Sequence, residues 1–236
     1  PGPAAVNRKP AAALAVAVAL LVPVVGCSSD TSDEGASTVT AGDPVVDPAA
    51  ERLAGRYAHY DVVAYESTDM KTLIISYGFT DLEVVDGGLQ ATDSFCSSDH
   101  RSDQPITVEM SDAATSAIRP VPTPVTLTSG DNGRARISRP TTPTGIGVRL
   151  EDPANDPLPT DPDDPRIADD DNDGNPGVTV HITVSEGLEG DLFIARREIF
   201  AYEVDEQADG SLTGEVTDGS EQLIIGATND AFLTQA

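Results

Sequence analysis

The sequence predicts an all-β fold, an antiparallel β-barrel or sandwich of about eight to ten strands. A long acidic loop and at most one short helix complete it. Three observations predict this. Apolar and β-branched residues come in short runs with a period near two. Turn residues punctuate those runs, with 20 Gly and 18 Pro among 236 residues. No alternation of strand and helix patterns supports a parallel sheet.

The elements follow in order along a single domain, 51–236. Tyr57 to Tyr65 is rich in Tyr and Val, and Leu73 to Tyr77 is apolar and β-branched. Both read as strands. Asp81 to Val85 passes through Asp86-Gly87-Gly88 into Leu89 to Thr92, a hairpin whose glycines accept the positive φ of a tight turn. Ile106 to Met110 alternates again. Ser111 to Ile118 is the helix candidate, begun by Ser111 or Asp112 and stopped at Pro120. Val125 to Thr128, Ala135 to Ser138 and Ile146 to Leu150 are further short strands. Val178, Val180, Ile182 and Val184 share one face of the next strand, with His181 on the other. Leu192 to Val204 reads as one long strand with a bulge or bend. Asp209-Gly210 turns it into Leu212 to Val216, and Asp218-Gly219 leads to Gln222 to Ala227. Leu53-Ala54-Gly55-Arg56-Tyr57 resembles the opening of lipocalin-like barrels, which favours a barrel over a sandwich.

Charge excludes some partners. The chain carries 14 Lys+Arg against 40 Asp+Glu, a formal net charge of −26. Such a surface repels phosphate backbones, so nucleic-acid binding is not expected. Adsorption to anionic lipid is disfavoured for the same reason.

The N-terminus supplies an address. Arg8 and Lys9 precede an apolar run from Ala11 to Val25, which ends in Val24-Val25-Gly26-Cys27. The run is short for a membrane span and suits the core of a signal peptide, 1–26. The small-Cys step resembles a bacterial lipobox. That resemblance implies lipidation of Cys27 and anchoring to a membrane, since two or three acyl chains hold where one is marginal. Ser28 in place of Asp resembles the outer-membrane sorting pattern, so the expected location is the outer membrane, on its periplasmic or surface face. Residues 27–50 then form a lipidated N-terminus and a flexible tether reaching roughly 25 Å. The other cysteine, Cys96, reads as a small buried hydrophobe, with an intermolecular disulfide or a reactive thiol as alternatives.

One segment carries chemistry. The loop 151–177 holds Glu151, Asp152, Asp156, Asp161, Asp163, Asp164, Asp169, Asp170, Asp171 and Asp173 against a single cation, Arg166. Asp169, Asp171 and Asp173, followed by Gly174, fit the D-x-D-x-D-G frame of calcium loops. Alternate residues of a tightly turning loop aim oxygens at one centre. Asn175 can add a ligand, and Asp163 or Asp164 can complete the set. The twelfth position is Val180 rather than Glu, and a strand follows rather than a helix. A weak structural Ca²⁺ site is therefore expected, with a dissociation constant of roughly 10⁻⁴ to 10⁻³ M. The alternative is a solvated acidic loop that only repels itself.

The stretch from Asp152 to Val180, with the lipobox, the Leu53 to Tyr57 opening and Ser220-Glu221-Gln222, resembles uncharacterised bacterial lipoproteins. The resemblance implies a secreted β-rich domain without an established activity. Elsewhere the signals are sparse. His59, His100 and His181 are far apart, so zinc is unsupported. His59 reads as a hydrogen-bonded structural residue and His181 as solvated. Arg196 and Arg197 fall on opposite faces of one strand. The inward one needs an anion, either Glu198 or Glu203 or a ligand. No nucleophile elbow, P-loop or dinucleotide fingerprint is present. The expected function is a non-catalytic, membrane-anchored lipoprotein with a structural Ca²⁺ loop. A lipocalin-like carrier of a small apolar ligand is the alternative, and a periplasmic hydrolase comes third. A cavity of several hundred Å³ would favour the carrier.

Overall fold

The computed structural model describes residues 47–67, 70–130, 133–184 and 187–235. The expected signal peptide, the expected lipidation site Cys27 and most of the expected tether lie outside them. The fold is all-β. Its strands are β1 (Gly55–Glu66), β2 (Lys71–Val85), β3 (Gly88–Ser102), β4 (Ile106–Met110), β5 (Thr123–Ser129), β6 (Ala135–Arg139), β7 (Thr144–Ile146), β8 (Val178–Val184), β9 (Leu188–Glu198), β10 (Phe200–Glu206), β11 (Leu212–Asp218) and β12 (Glu221–Ala227). Seven pair antiparallel in the order β1-β2-β3-β5-β6-β10-β11. They curl into a nearly closed barrel, with the end strands β1 and β11 touching. The remaining five form a second antiparallel sheet, β12-β9-β8-β4, with β7 also paired to β9. No helix among the described residues is long and apolar enough to cross a membrane.

The described strands number twelve, above the expected eight to ten, and one expected strand is two. The run from Leu192 to Val204 leaves the second sheet as β9 and enters the barrel as β10, turning at Ile199. Strands that change sheets at a bend make the corners of such packings. The Ile199 N–H donates to Ser220 Oγ at 2.9 Å, and the Gly219 N–H donates to the Ile199 carbonyl at 2.8 Å. Between β11 and β12 the returning chain makes the same crossing.

β1, β2 and β3 are long enough to serve both units. β2 runs unbroken through the gap expected between Tyr77 and Asp81, and β3 continues ten residues past Thr92 to Ser102. Its second half is polar, Asp93-Ser94-Phe95-Cys96-Ser97-Ser98, which hid it from a hydrophobic pattern.

Helices number two among the described residues, where at most one was expected. The first, α1 (Pro48–Leu53), is capped by Asp47, whose side chain accepts from the Ala49 N–H at 2.8 Å, and Pro48 stands at its start. It replaces the end of the expected tether, and its Ala50 and Leu53 are buried under the barrel. The second, α2 (Asp112–Ser116), sits where the helix was expected, capped by Ser111 Oγ on the Ala114 N–H at 3.0 Å. A 3-10 turn closes the chain over Asp230–Gln235.

The barrel interior is filled. Leu53, Tyr57, Leu82, Leu89, Ile137 and Leu212 pack together there, leaving a residual cavity of about 50 Å³. Arg139 and Asp93 are enclosed beside them, 1 % and 4 % exposed, and pair at 3.0 Å. Arg139 also donates to the Phe200 carbonyl at 3.1 Å and to Thr142 Oγ1 at 2.7 Å, and lies 4.4 Å over the Phe200 ring.

Candidate functional site

The second unit is hollow. Between the outer halves of β1–β3 and the second sheet lies a cavity of about 450 Å³. Alternation on β8 and β9 points Val178, Val180 and Ile182, with Leu192 and Ile194, into it. Ile74 of β2, Val108 and Met110 of β4 and Ile118 after α2 line other sides. Polar groups enter from β1–β3: Tyr65, Ser76, Ser98 and His100. Ser98 Oγ lies 3.1 Å from Thr115 Oγ1.

A bulge sets which of these face inward. Within the barrel β3 turns Leu89, Ala91, Asp93 and Phe95 inward. Its ladder to β2 then slips, with Phe95 opposite Gly78 but Ser97 opposite Tyr77. Cys96 is the extra residue. One added residue switches the inward set from odd to even positions, so Ser98 and His100 line the cavity. With Cys96 paired in an unbroken ladder, Asp99 and Arg101 would face in. Cys96 follows inward Phe95 and faces out, exposed, which corrects its reading as a buried hydrophobe.

At the end of the cavity nearest the barrel stand Arg196 and Glu198, both mostly buried, joined through Arg196 Nε. Arg196 also donates to Gln222 Oε1 at 3.0 Å. This is the internal ion pair expected from sequence. Arg197, on the opposite face, pairs with Glu221 at 2.8 Å and donates to the Asp156 carbonyl. His59 is structural as expected. Thr80 Oγ1 donates its one proton to Asp93 at 2.7 Å, so His59 Nδ1 donates to Thr80 at 3.0 Å. A nucleophile would need the reverse, with the hydroxyl donating to histidine. Burial lowers the His59 pKa. His181 is part-exposed and lies 2.7 Å from Asp191, whose hydrogen bond raises its pKa.

The acidic loop covers the outer face of the second sheet. Leu150, Leu158 and Ile167 pack with Val148 against Ala195 of β9 and Ile225 of β12. Arg149 binds Asp170 in a two-pronged pair, and Asp170 Oδ2 also accepts the Gly147 N–H at 2.7 Å. At Gly177, with φ 82°, a Cβ would meet the Ile194 carbonyl oxygen at 2.4 Å, so only glycine lets the loop seat on β9. The loop is thus tied down rather than spread by its own repulsion.

The structure brings Asp169, Asp171 and Asp173 together, with one ligand oxygen from each within 4.8 Å of the others. The Gly174 N–H donates to Asp169 Oδ2 at 3.0 Å, and the Thr179 N–H to Asp171 Oδ2 at 2.9 Å. Asp171 is 8 % exposed, and its Oδ1 is buried with no hydrogen-bond partner. Burial raises its pKa, the Thr179 N–H opposes this, and the Asp173 charge adds to it. Three clustered carboxylates with an orphaned buried oxygen can hold a metal ion. Asp163 and Asp164 are not part of this group. Asp164 is taken by Arg166 at 2.9 Å, which holds its pKa down at about 2. Asp163 is exposed on the turn begun by Asp161. Asn175 lies next to the cluster but gives its side-chain amide to Asp173 at 3.0 Å.

Sequence reasoning missed Arg139 and the cavity. The signal for Arg139 was available, since Ala135, Ile137 and Arg139 alternate on one face of β6. Comparison with known proteins gives no match to a family model, to a curated sequence or to a solved structure.

Proposed function

We propose that this chain is an exported, non-catalytic lipoprotein, anchored through Cys27 to the outer membrane, that carries a small apolar molecule. The observation that supports the carrier reading is the inter-sheet cavity of about 450 Å³. Binding sites for small molecules are concave, mostly apolar, edged by a few polar groups, and of this size. The barrel itself is filled, so the carrier site is the space between the sheets rather than the barrel interior. The anchor rests on the lipobox sequence. Native mass spectrometry of the full chain purified from its own host tests the reading. A co-purifying small molecule of constant mass is expected, and its absence from repeated preparations would count against a carrier.

A second reading concerns the acidic loop. Its support is the orphaned Oδ1 of Asp171 within the Asp169–Asp171–Asp173 group. The ion proposed is Ca²⁺, a hard cation that accepts irregular oxygen cages, in a structural role. Calorimetric titration with Ca²⁺, and melting with and without EDTA, tests it. No heat and an unchanged melting point would remove it.

A further inference from the structure

The cavity's polar lining has a charge balance that selects among apolar ligands. Among the described lining residues, the charged side chains are Arg196 and Glu198, and they neutralise each other. Nearby Asp218 accepts hydrogen bonds from the Tyr65 and Ser220 hydroxyls. His100 is kept neutral, its pKa lowered by burial and by Arg196. The bulge at Cys96 keeps Asp99 and Arg101 off the lining. What remains for a ligand head is a set of uncharged donors and acceptors: Ser76, Ser98, Thr115, His100 and Gln222. A charged head would lose its hydration without gaining a free counter-charge. An anion would also approach a protein of net charge −26 against its field.

We infer that the cavity takes a neutral amphiphile, an apolar chain or ring system ending in an uncharged hydroxyl, carbonyl or amide. The inference deepens the carrier reading and rests on it. Size follows from volume. An apolar cavity of about 150 Å³ holds one benzene, so one of about 450 Å³ holds roughly 18 heavy atoms.

Competition binding tests the head-group preference. The full chain is titrated with N-phenyl-1-naphthylamine, a neutral dye that brightens in apolar surroundings. Bound dye is then displaced with 1-dodecanol, dodecanoate or dodecyltrimethylammonium, which share one tail. Dodecanol is expected to displace at a concentration at least tenfold lower than either charged competitor. The variant Glu198→Gln removes one of the two carboxylates, Glu198 and Asp218, whose charge acts on Arg196, and should shift the alcohol-to-carboxylate ratio toward dodecanoate by at least tenfold. That shift is independent of the alcohol's greater apolarity, which is the same for both proteins. If Glu198→Gln does not fold, the wild-type ratio is set against the ratio in which the same competitors partition into octanol, and has to exceed it at least tenfold. Equal potency, or a preference for dodecanoate, overturns the neutral head and leaves the carrier standing. No dye binding and no displacement overturns the carrier reading, and the inference falls with it.

Discussion

Two interiors built partly from the same strands differ in how they are filled. β1, β2 and β3 give Tyr57, Leu82 and Leu89 to the barrel, and Tyr65, Ser76 and Ser98 to the space between the sheets. The barrel adds Ile137 and Leu212 and is closed at one end by Leu53 of α1, leaving about 50 Å³. The other interior is walled by Val and Ile on β8 and short hydroxyl side chains opposite, leaving about 450 Å³. Both lie behind correctly alternating strands. Side-chain size and a plugging helix, rather than pattern, decide which end is solid.

The solid end should be the costlier to disturb. Asp93→Ala removes the partner of Arg139, leaving a guanidinium that is 1 % exposed. Breaking a buried pair in this way costs about 3–5 kcal/mol. Urea unfolding should show this as a large drop in midpoint. A loss below about 1 kcal/mol would mean that water reaches the pair, and that the barrel is not solid. The next test uses the same truncation at both ends. Ile137→Ala, at a fully buried site, should cost about 2–5 kcal/mol, whereas Ile182→Ala, already facing space, should cost under about 1 kcal/mol. Equal losses would erase the contrast.

Metal binding should act on the hollow end, because the Asp169–Asp173 loop is fastened to β8 and β9 through Thr179 and Gly177. With a dissociation constant of roughly 10⁻⁴ to 10⁻³ M, about 10 mM Ca²⁺ should stabilise the fold by about 1.4–2.7 kcal/mol. Asp171→Asn should abolish the gain. Hydrogen exchange locates it, with added protection expected first in Val178–Val184. A gain that persists in Asp171→Asn would place the ion elsewhere.

What was legible in the sequence follows the same division. Alternation exposed β8, the hairpin after Val85 and the all-β class, since one wet and one dry face leave a period of two. The D-x-D-x-D-G spacing correctly grouped Asp169, Asp171 and Asp173, because their convergence is local. Asp163 and Asp164 were placed with them only by proximity in sequence, and Arg166 draws Asp164 away. The second half of β3 was illegible because its inward side chains border a hollow, and a hollow does not demand apolar residues. Cys96 was misjudged because residue type was read without the strand's alternation, which turns it out beside inward Phe95. The bulge there, which reverses inside and outside for the residues after it, is a single insertion that composition does not register. The cavity depends on the spacing of two sheets, which no local pattern records.

An effect that shows only as a pH dependence sits at the junction of the two interiors. Asp61 of β1 borders the residual barrel cavity, and its surroundings also touch the Arg196–Glu198 end of the hollow unit. Burial pushes its carboxyl up to about 7 from an ordinary 3.8. A hydrogen bond from Ser76 opposes this, and the charges of Glu198, Asp93 and Asp218 add to it. The folded state therefore keeps a proton that the unfolded chain releases near pH 4. Between about pH 4 and 7 the folded state binds more protons, so this group's contribution falls as pH rises and levels off above 7. The slope is at most about 1.4 kcal/mol per pH unit. His59 and His100, whose pKa values are lowered, act in the opposite direction below pH 6.5, so the wild-type curve alone mixes them. Subtracting the curve of Asp61→Asn isolates the carboxyl, and the variant should gain on wild type steadily up to pH 7. Parallel curves would mean that Asp61 titrates near its ordinary value. Water would then reach the junction through the hollow unit, and the boundary between solid and hollow would lie deeper in the barrel, toward Phe95 and Phe200.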